Sequence, residues 1–204
     1  MHPVIYSVTT PRLLIRCYHL SDAHALNQLV IANVEHLRQF MPWARASSYP
    51  LEGHVEAISH WIHNFEQTTD FVMGIFDRQS GELIGGTGLH RRVGEYGLEI
   101  GYWIDAAHTN KGLVTESTAA LVKVAFDHYG MDRVEIHCSS LNHASARIPQ
   151  KLGFQLEATL RRRYMDEYGI ADRLIWTLFK ADYPNSHTPL LDVRAYDDEG
   201  RQYL

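Results

Sequence analysis

Apolar residues recur along this chain in two periods, and the change from one to the other marks out its elements. Between residues 52 and 67, Val55, Ile58, Trp61, Ile62 and Phe65 fall three or four apart, which predicts a helix with one apolar stripe. Residues 113–128 are denser: Leu121, Val122, Val124, Ala125 and Phe126 leave few polar positions, so this helix should be covered on most sides. Period two takes over where Val134, Ile136 and Cys138 alternate with Glu135, His137 and Ser139, the pattern of a strand. Further strands are predicted at 12–17, 71–76, 83–89, 98–104, 154–165 and 174–179, with turns at Ser80-Gly81 and near Gly94 making a meander of the middle three. Ser21 and Asp22 supply helix-start chemistry for 23–30. Residues 33–40 read as another helical turn or two, ended at Met41-Pro42-Trp43 because the residue before a proline is pushed out of the helical region. A loop follows through Pro50. Asn142 opens a last helix that closes at Leu152-Gly153.

The resulting order predicts an α+β fold: one mixed, mostly antiparallel central sheet of about seven strands with helices on both faces. At 204 residues the chain holds one substantial core and at most a small appendage. Residues 1–183 are assigned to the domain and 184–204 to a C-terminal extension. There, 193–196 and 201–204 flank Asp197-Asp198-Glu199-Gly200, which reads either as a small hairpin or as disorder.

Composition narrows the function more than the fold. A formal charge of −5 argues against direct nucleic-acid binding, which needs a basic face. Residues 1–6 contain neither Lys nor Arg nor an apolar run, and no segment is long enough to span a bilayer, so a cytoplasmic protein without a membrane partner is expected. Cys17 and Cys138 lie in strand-like stretches without CxxC spacing and read as reduced thiols packed as small hydrophobes. Among thirteen histidines, His60 and His63 share a helix face, but no third ligand is signalled and no metal site is assigned.

Candidate chemistry centres on Thr109-Asn110-Lys111-Gly112-Leu113-Val114-Thr115-Glu116, between a strand and a long helix, with glycine at the turn. Such a junction aims unpaired backbone N–H groups and the positive end of a helix dipole at one point, which suits a pyrophosphate. Neither GxxxxGK[ST] nor GxGxxG is present. By itself the loop is equally a helix start with a capping turn.

Around it stand Thr10-Pro11-Arg12-Leu13-Leu14-Ile15-Arg16, Gly85-Gly86-Thr87-Gly88-Leu89-His90, Leu98-Glu99-Ile100-Gly101-Tyr102-Trp103-Ile104, Asn142-His143-Ala144-Ser145, Arg147-Ile148-Pro149 and Lys151-Leu152-Gly153-Phe154. In these motifs, over about residues 9 to 182, the chain resembles the GNAT acetyltransferases, specifically the RimJ/RimL branch that includes ribosomal-protein N-terminal acetyltransferases. The resemblance implies the GNAT fold, acetyl-coenzyme A as co-substrate, no metal, and transfer of the acetyl group to an amine. It implies that Asn110, Lys111, Gly112, Leu113, Val114 and Thr115 cradle the pyrophosphate while main-chain groups at Trp103 and Ile104 pair with the pantetheine. Thr109 replaces the common opening Arg or Gln of that loop, and Val114 replaces the usual Gly or Ala.

Asn142 and Ser145 match family positions at the pantetheine arm, near the thioester sulfur. Their other reading is a helix N-cap and a residue of the first turn. In the family's reaction a neutral amine attacks the thioester and coenzyme A leaves as a thiolate, for which Ser145 is the candidate proton donor. Tyr164 stands where some relatives carry a Glu, and Glu99 is a second candidate base. A water chain is a third route, since an α-amino group with a pKa near about 8 is partly neutral already. His90 faces either the cleft or the surface at a strand end, and Trp43 and Trp103 read as core or cleft wall. The Arg161-Arg162-Arg163 run either borders the cleft, repelling a strongly cationic acceptor, or lies on a solvated strand edge. The implied acceptor is the α-amino group of a protein, peptide or amino-acid derivative. The alternatives are a small-molecule amine and, from another class, a non-catalytic coenzyme A sensor. Both a monomer and a homodimer are left open.

Overall fold

The two periods carry through into one sheet with helices on either side. The computed structural model describes residues 2–45 and 50–204. In chain order the elements are β1 (Ser7–Thr9), β2 (Leu13–Cys17), α1 (Ala23–Ala32), α2 (Val34–Leu37), α3 (Leu51–Glu66), β3 (Asp70–Asp77), β4 (Leu83–His90), β5 (Gly97–Ile104), α4 (Leu113–Lys123), β6 (Arg133–Ser139), α5 (His143–Lys151), β7 (Gln155–Asp166), β8 (Gly169–Phe179) and β9 (Arg194–Tyr196). The loop expected through Pro50 falls partly on 46–49, outside the described residues. The strands pair in the order β7-β8-β6-β5-β4-β3-β2-β1-β9, antiparallel except for β5 and β6.

Alternation sorts the side chains onto two faces. Leu13, Ile15, Phe71, Met73 and Ile75 pack with α4 into the main core, while Tyr18, Leu83 and the edge of Val72 meet Leu26, Val30 and Ile58 of α1 and α3 on the other side. This gives helices on both faces of a mostly antiparallel sheet. Two short strands exceed the seven expected, β1 and β9, and they pair with each other at the sheet's end: Val8 faces Ala195.

The helix expected over 113–128 is regular only to Lys123 and continues as a π turn, Val124–His128. The wider turn directs His128 and Tyr129 at the N-terminal segment: His128 Nε2 donates to the Pro3 carbonyl at 2.8 Å and Tyr129 Oη accepts from Ile5 N–H at 2.9 Å. Both cysteines are free and buried.

Candidate active site

A gap in the sheet creates the site. β5 and β6 pair only through Gly97–Glu99 against Arg133–Glu135, although they run on to Ile104 and Ser139. Beyond Glu99 the two strands part, so residues 100–104 keep β4 on one edge and lose a partner on the other. A cleft of about 1170 Å³ opens there, reaching Tyr102, Trp103, Cys138 and Ser145. Glycines shape its floor. The Trp103 indole lies over Gly86, and the His90 ring lies over Gly88 and Gly101: a β-carbon added at those two would stand 3.0 and 3.2 Å from His90 Nε2.

Strand alternation gives the cleft two sides. Trp103 packs with the α1/α3 cluster and Tyr102 with the α4/α5 cluster. On the Tyr102 side, Asn142 caps α5, its Oδ1 accepting from Ser145 N–H at 3.0 Å. The cap consumes only the backbone of Ser145. Its hydroxyl donates to Tyr102 Oη at 3.2 Å, and Tyr102 in turn donates to the Ser145 carbonyl at 3.0 Å. That carbonyl is available because Pro149, four residues on, has no N–H to give it. Burial raises the Tyr102 hydroxyl above its ordinary range and pushes the Cys138 thiol up to about 11, so both are protonated near neutrality.

The opposite side is charged. Glu99, 6% exposed, accepts from Arg92 Nε and Nη2 at 2.7 and 2.6 Å. Burial would raise its carboxyl, but the Arg92 hydrogen bonds and the charges of His137, Arg92 and His90 outweigh that and hold it below the usual range. His137 reaches Glu135 Oε2 through Nε2 at 2.7 Å and stands 3.5 Å from Glu99 through Nδ1. Arg133 closes the far end, donating to Glu135 at 2.8 Å and to the Val93 carbonyl. His90 Nδ1 lies 2.7 Å from Asp70 Oδ1. Tyr164 also lines the cleft, its hydroxyl donating to the Phe40 carbonyl at 2.9 Å. Of the arginine run, Arg163 borders the cleft while Arg161 and Arg162 are exposed along β7.

The glycine loop stands apart from the cleft wall. Asn110 and Gly112 take left-handed conformations, φ 59° and 77°, and no hydrogen bond among the described residues engages the backbone N–H groups from Asn110 to Thr115. Val114 turns its side chain into the core, away from that exposed row. Arg12 braces the loop from below: Nη1 donates to the Lys111 carbonyl at 2.9 Å, and Nε to Glu116 at 2.6 Å. Glu116 also accepts from the Thr10 hydroxyl at 2.6 Å.

Thus Trp103, Asn142, Ser145, Tyr164 and Glu99 share one cleft, Ile104 at the end of β5 is buried in the main core and does not line it, and Asn110 to Thr115 form a separate row at the start of α4. Tyr102, Arg92 and His137 were missed. The alternation of β5 and β6 placed Tyr102 and His137 on strand faces, but only the divergence of those strands makes the faces a cleft, and Arg92 lies in the loop after β4, where no alternation could place it. Among the described residues no group of three or more His, Cys, Asp or Glu is placed to hold a metal ion, and no helix is long and apolar enough to cross a membrane.

Comparison with known proteins gives the family and the fold. A family model described as an acetyltransferase (GNAT) domain matches residues 12–155. The chain is similar to "Probable N-acetyltransferase YjcK" of Bacillus subtilis, 29% identical over 150 residues that cover 72% of this chain and 83% of that one. It is also similar to the ribosomal protein uS5-alanine N-acetyltransferase of Escherichia coli, 26% identical over 168 residues covering 81% and 84%. The solved structure of Mycobacterium smegmatis RimJ in complex with CoA-disulfide superposes with a TM-score of 0.82 over 93% of this chain and 95% of that one, at 20% identity, a likeness of fold.

Proposed function

This chain belongs to the acetyltransferase (GNAT) family and is an acetyl-coenzyme A-dependent N-acetyltransferase, and from that premise we propose that its acceptor is the α-amino group of a protein or peptide. One observation carries the reading of the site: β5 and β6 separate after Glu99, leaving an unpaired strand edge beside the cleft. An extended pantetheine adds to such an edge as a strand would, at Trp103 and Ile104, with its pyrophosphate on the free N–H row of Asn110 to Thr115 at the positive end of α4. Its thioester then reaches the gap, with Ser145 and Tyr102 on one side and the charged cluster on the other. The amine comes from the α1/α3 side. Support for an α-amino acceptor comes from the uS5-alanine N-acetyltransferase among the relatives.

The roles follow from the contacts. Ser145 donates a proton to the departing thiolate and is not a nucleophile, because no base among the described residues holds its hydroxyl and direct attack needs no acyl-enzyme. Glu99, locked by Arg92, orients the charged wall. Tyr164 shapes that wall, since its hydroxyl is held by the Phe40 carbonyl. A small-molecule acceptor is the second reading, favoured by the aromatic enclosure of the amine side, where Trp43 meets Trp103 at 6.0 Å and Tyr18 meets Trp61 at 5.2 Å between ring centroids.

The test is release of free thiol from acetyl-coenzyme A with matched peptides carrying free or formylated N-termini, each with an internal lysine, alongside small amines. Thiol release with the free N-termini alone, and acetyl on the α-nitrogen by mass, is the expected result. Turnover with the formylated peptides or with small amines alone overturns the acceptor assignment. A thermal shift on acetyl-coenzyme A without any turnover makes the chain a sensor.

A further inference from the structure

The geometry points to His90 as the group that takes the proton from the attacking amine, with Asp70 as the residue that positions its ring. This rests on the reading above, acetyl transfer to an amine in this cleft. When the amine nitrogen adds to the thioester carbonyl it becomes a strongly acidic ammonium, and the tetrahedral intermediate reverts unless that proton is removed. Three other groups that face the gap, Glu99, His137 and Tyr164, are already engaged. Both oxygens of Glu99 are held by Arg92, which keeps the carboxylate a weak base. His137 spends Nε2 on Glu135 and turns Nδ1 to Glu99. The Tyr164 hydroxyl donates to a carbonyl.

His90 is arranged differently. A carboxylate can only accept, so at 2.7 Å from Asp70 the Nδ1 atom carries a proton, and in the neutral ring Nε2 is the atom with the lone pair. No hydrogen bond among the described residues engages Nε2. It lies over Gly88 and Gly101, where a side chain at either position would meet the ring. Gly101 precedes Tyr102, the partner of Ser145. Successive residues of β5 therefore mark the places of the two proton transfers, His90 above Gly101 on one face and Ser145 beside Tyr102 on the other, with the strand's unpaired edge between them. The electron pair of the amine forms the C–N bond, its proton passes to Nε2, the C–S bond breaks and the sulfur takes the Ser145 proton. Ser145 regains a proton from solvent, and His90 releases its own there when the product leaves.

The groups facing His90 are Asp70 from β3, Glu99 opposite it on β5, Arg92 beyond the end of β4 and His137 from β6. The charges of Arg92 and Glu99 largely match each other, which leaves Asp70 as the carboxylate in direct contact with the ring.

The experiment compares the wild type with His90→Gln and Asp70→Asn, using whichever acceptor turns over. The expected result for His90→Gln is a fall in kcat of about 100- to 1000-fold, loss of the acid-side decline of kcat at saturating acceptor, and an unchanged thermal shift with acetyl-coenzyme A. Asp70→Asn, which keeps the ring but alters its orienting partner, should lower kcat by about tenfold and move the acid-side decline. Should His90→Gln not fold, Asp70→Asn decides alone. A kcat within threefold of wild type, or an acid-side decline that stays in place in the variants, overturns the assignment. Failure of the wild type to acetylate any amine instead removes the reading on which it rests, so the two failures are told apart.

Discussion

Ser145 illustrates how one residue serves helix and chemistry through different atoms. Its N–H is spent on the Asn142 cap and its carbonyl on Tyr102, which leaves the hydroxyl hydrogen, donated to Tyr102 Oη, as the mobile one. Ser145→Ala removes only that hydroxyl and a single neutral hydrogen bond, so the loss of stability should be about 1 kcal/mol. Turnover should fall about ten- to a thousandfold with acetyl-coenzyme A affinity little changed, because a general acid acts mainly in the transition state. Steady-state kinetics and calorimetric titration of the same preparation check both halves. A near-normal kcat returns Ser145 to a structural role, and an acetyl group trapped on its side chain overturns direct transfer. The sequence offered Asn142 and Ser145 both readings, cap and pantetheine contact, and could not choose between them, because an N-cap and a ligand donor use the same residue types. Tyr102 gave no signal of its own: a tyrosine among Ile100, Trp103 and Ile104 reads as strand core until Pro149 is seen to free the carbonyl it binds.

At the scale of elements, the glycine loop was legible and its support was not. The strand, the glycine and the long helix are contiguous in sequence, so the N–H row could be placed without a structure. The brace comes from Arg12, about a hundred residues earlier, and no local pattern links that arginine to Glu116. Arg12 is half exposed, so its ion pair should add less than about 1 kcal/mol to stability. Its work is geometric: it holds the Lys111 carbonyl down, so that the peptides on either side of Gly112 present their N–H groups outward. Arg12→Ala should therefore weaken acetyl-coenzyme A binding by about tenfold while shifting the melting temperature of the free protein by no more than about 4 °C. Isothermal titration beside a thermal melt separates these, and an unaltered Kd would mean that the loop keeps its shape unaided. Element boundaries suffered from the same blindness to distant contacts. The helix over 113–128 reads as continuous from its periodicity, yet its last turn widens where Pro3 and Ile5 bind His128 and Tyr129.

The whole molecule raises the question of what the last twenty residues do. Seven strands were readable because each carries an apolar run or a clean alternation, whereas β1 and β9 are three residues long and gain their definition from their neighbours, β1 from β2 and β9 from β1. At the sheet's end β9 covers β1, a turn at 197–200 returns the chain to a bridge between Tyr196 and Gln202, and Val193 and Ala195 enter the main core. Between them and the domain, Thr188 is fully buried and the Pro189 carbonyl accepts from Lys123. The cleft lies far off in the pairing order, at β4, β5 and β6, with β3, β2 and β1 intervening. Truncation after Asn185 would thus uncover the edge of β1 and remove at least about 2–3 kcal/mol of apolar burial, from Val193 and Ala195 with Leu191 and Leu204 beside them. The melting temperature should drop by about 5–10 °C, and aggregation on heating should begin earlier as the bared strand edge finds other chains. The fraction that remains folded should bind acetyl-coenzyme A as the full chain does, because no residue of the loop or the cleft lies beyond position 185. A truncated protein with an unchanged melting temperature would show that β9 adds nothing to the core. One that folds but no longer responds to acetyl-coenzyme A would tie the tail to the site through α4, whose Lys123 is the link already in place.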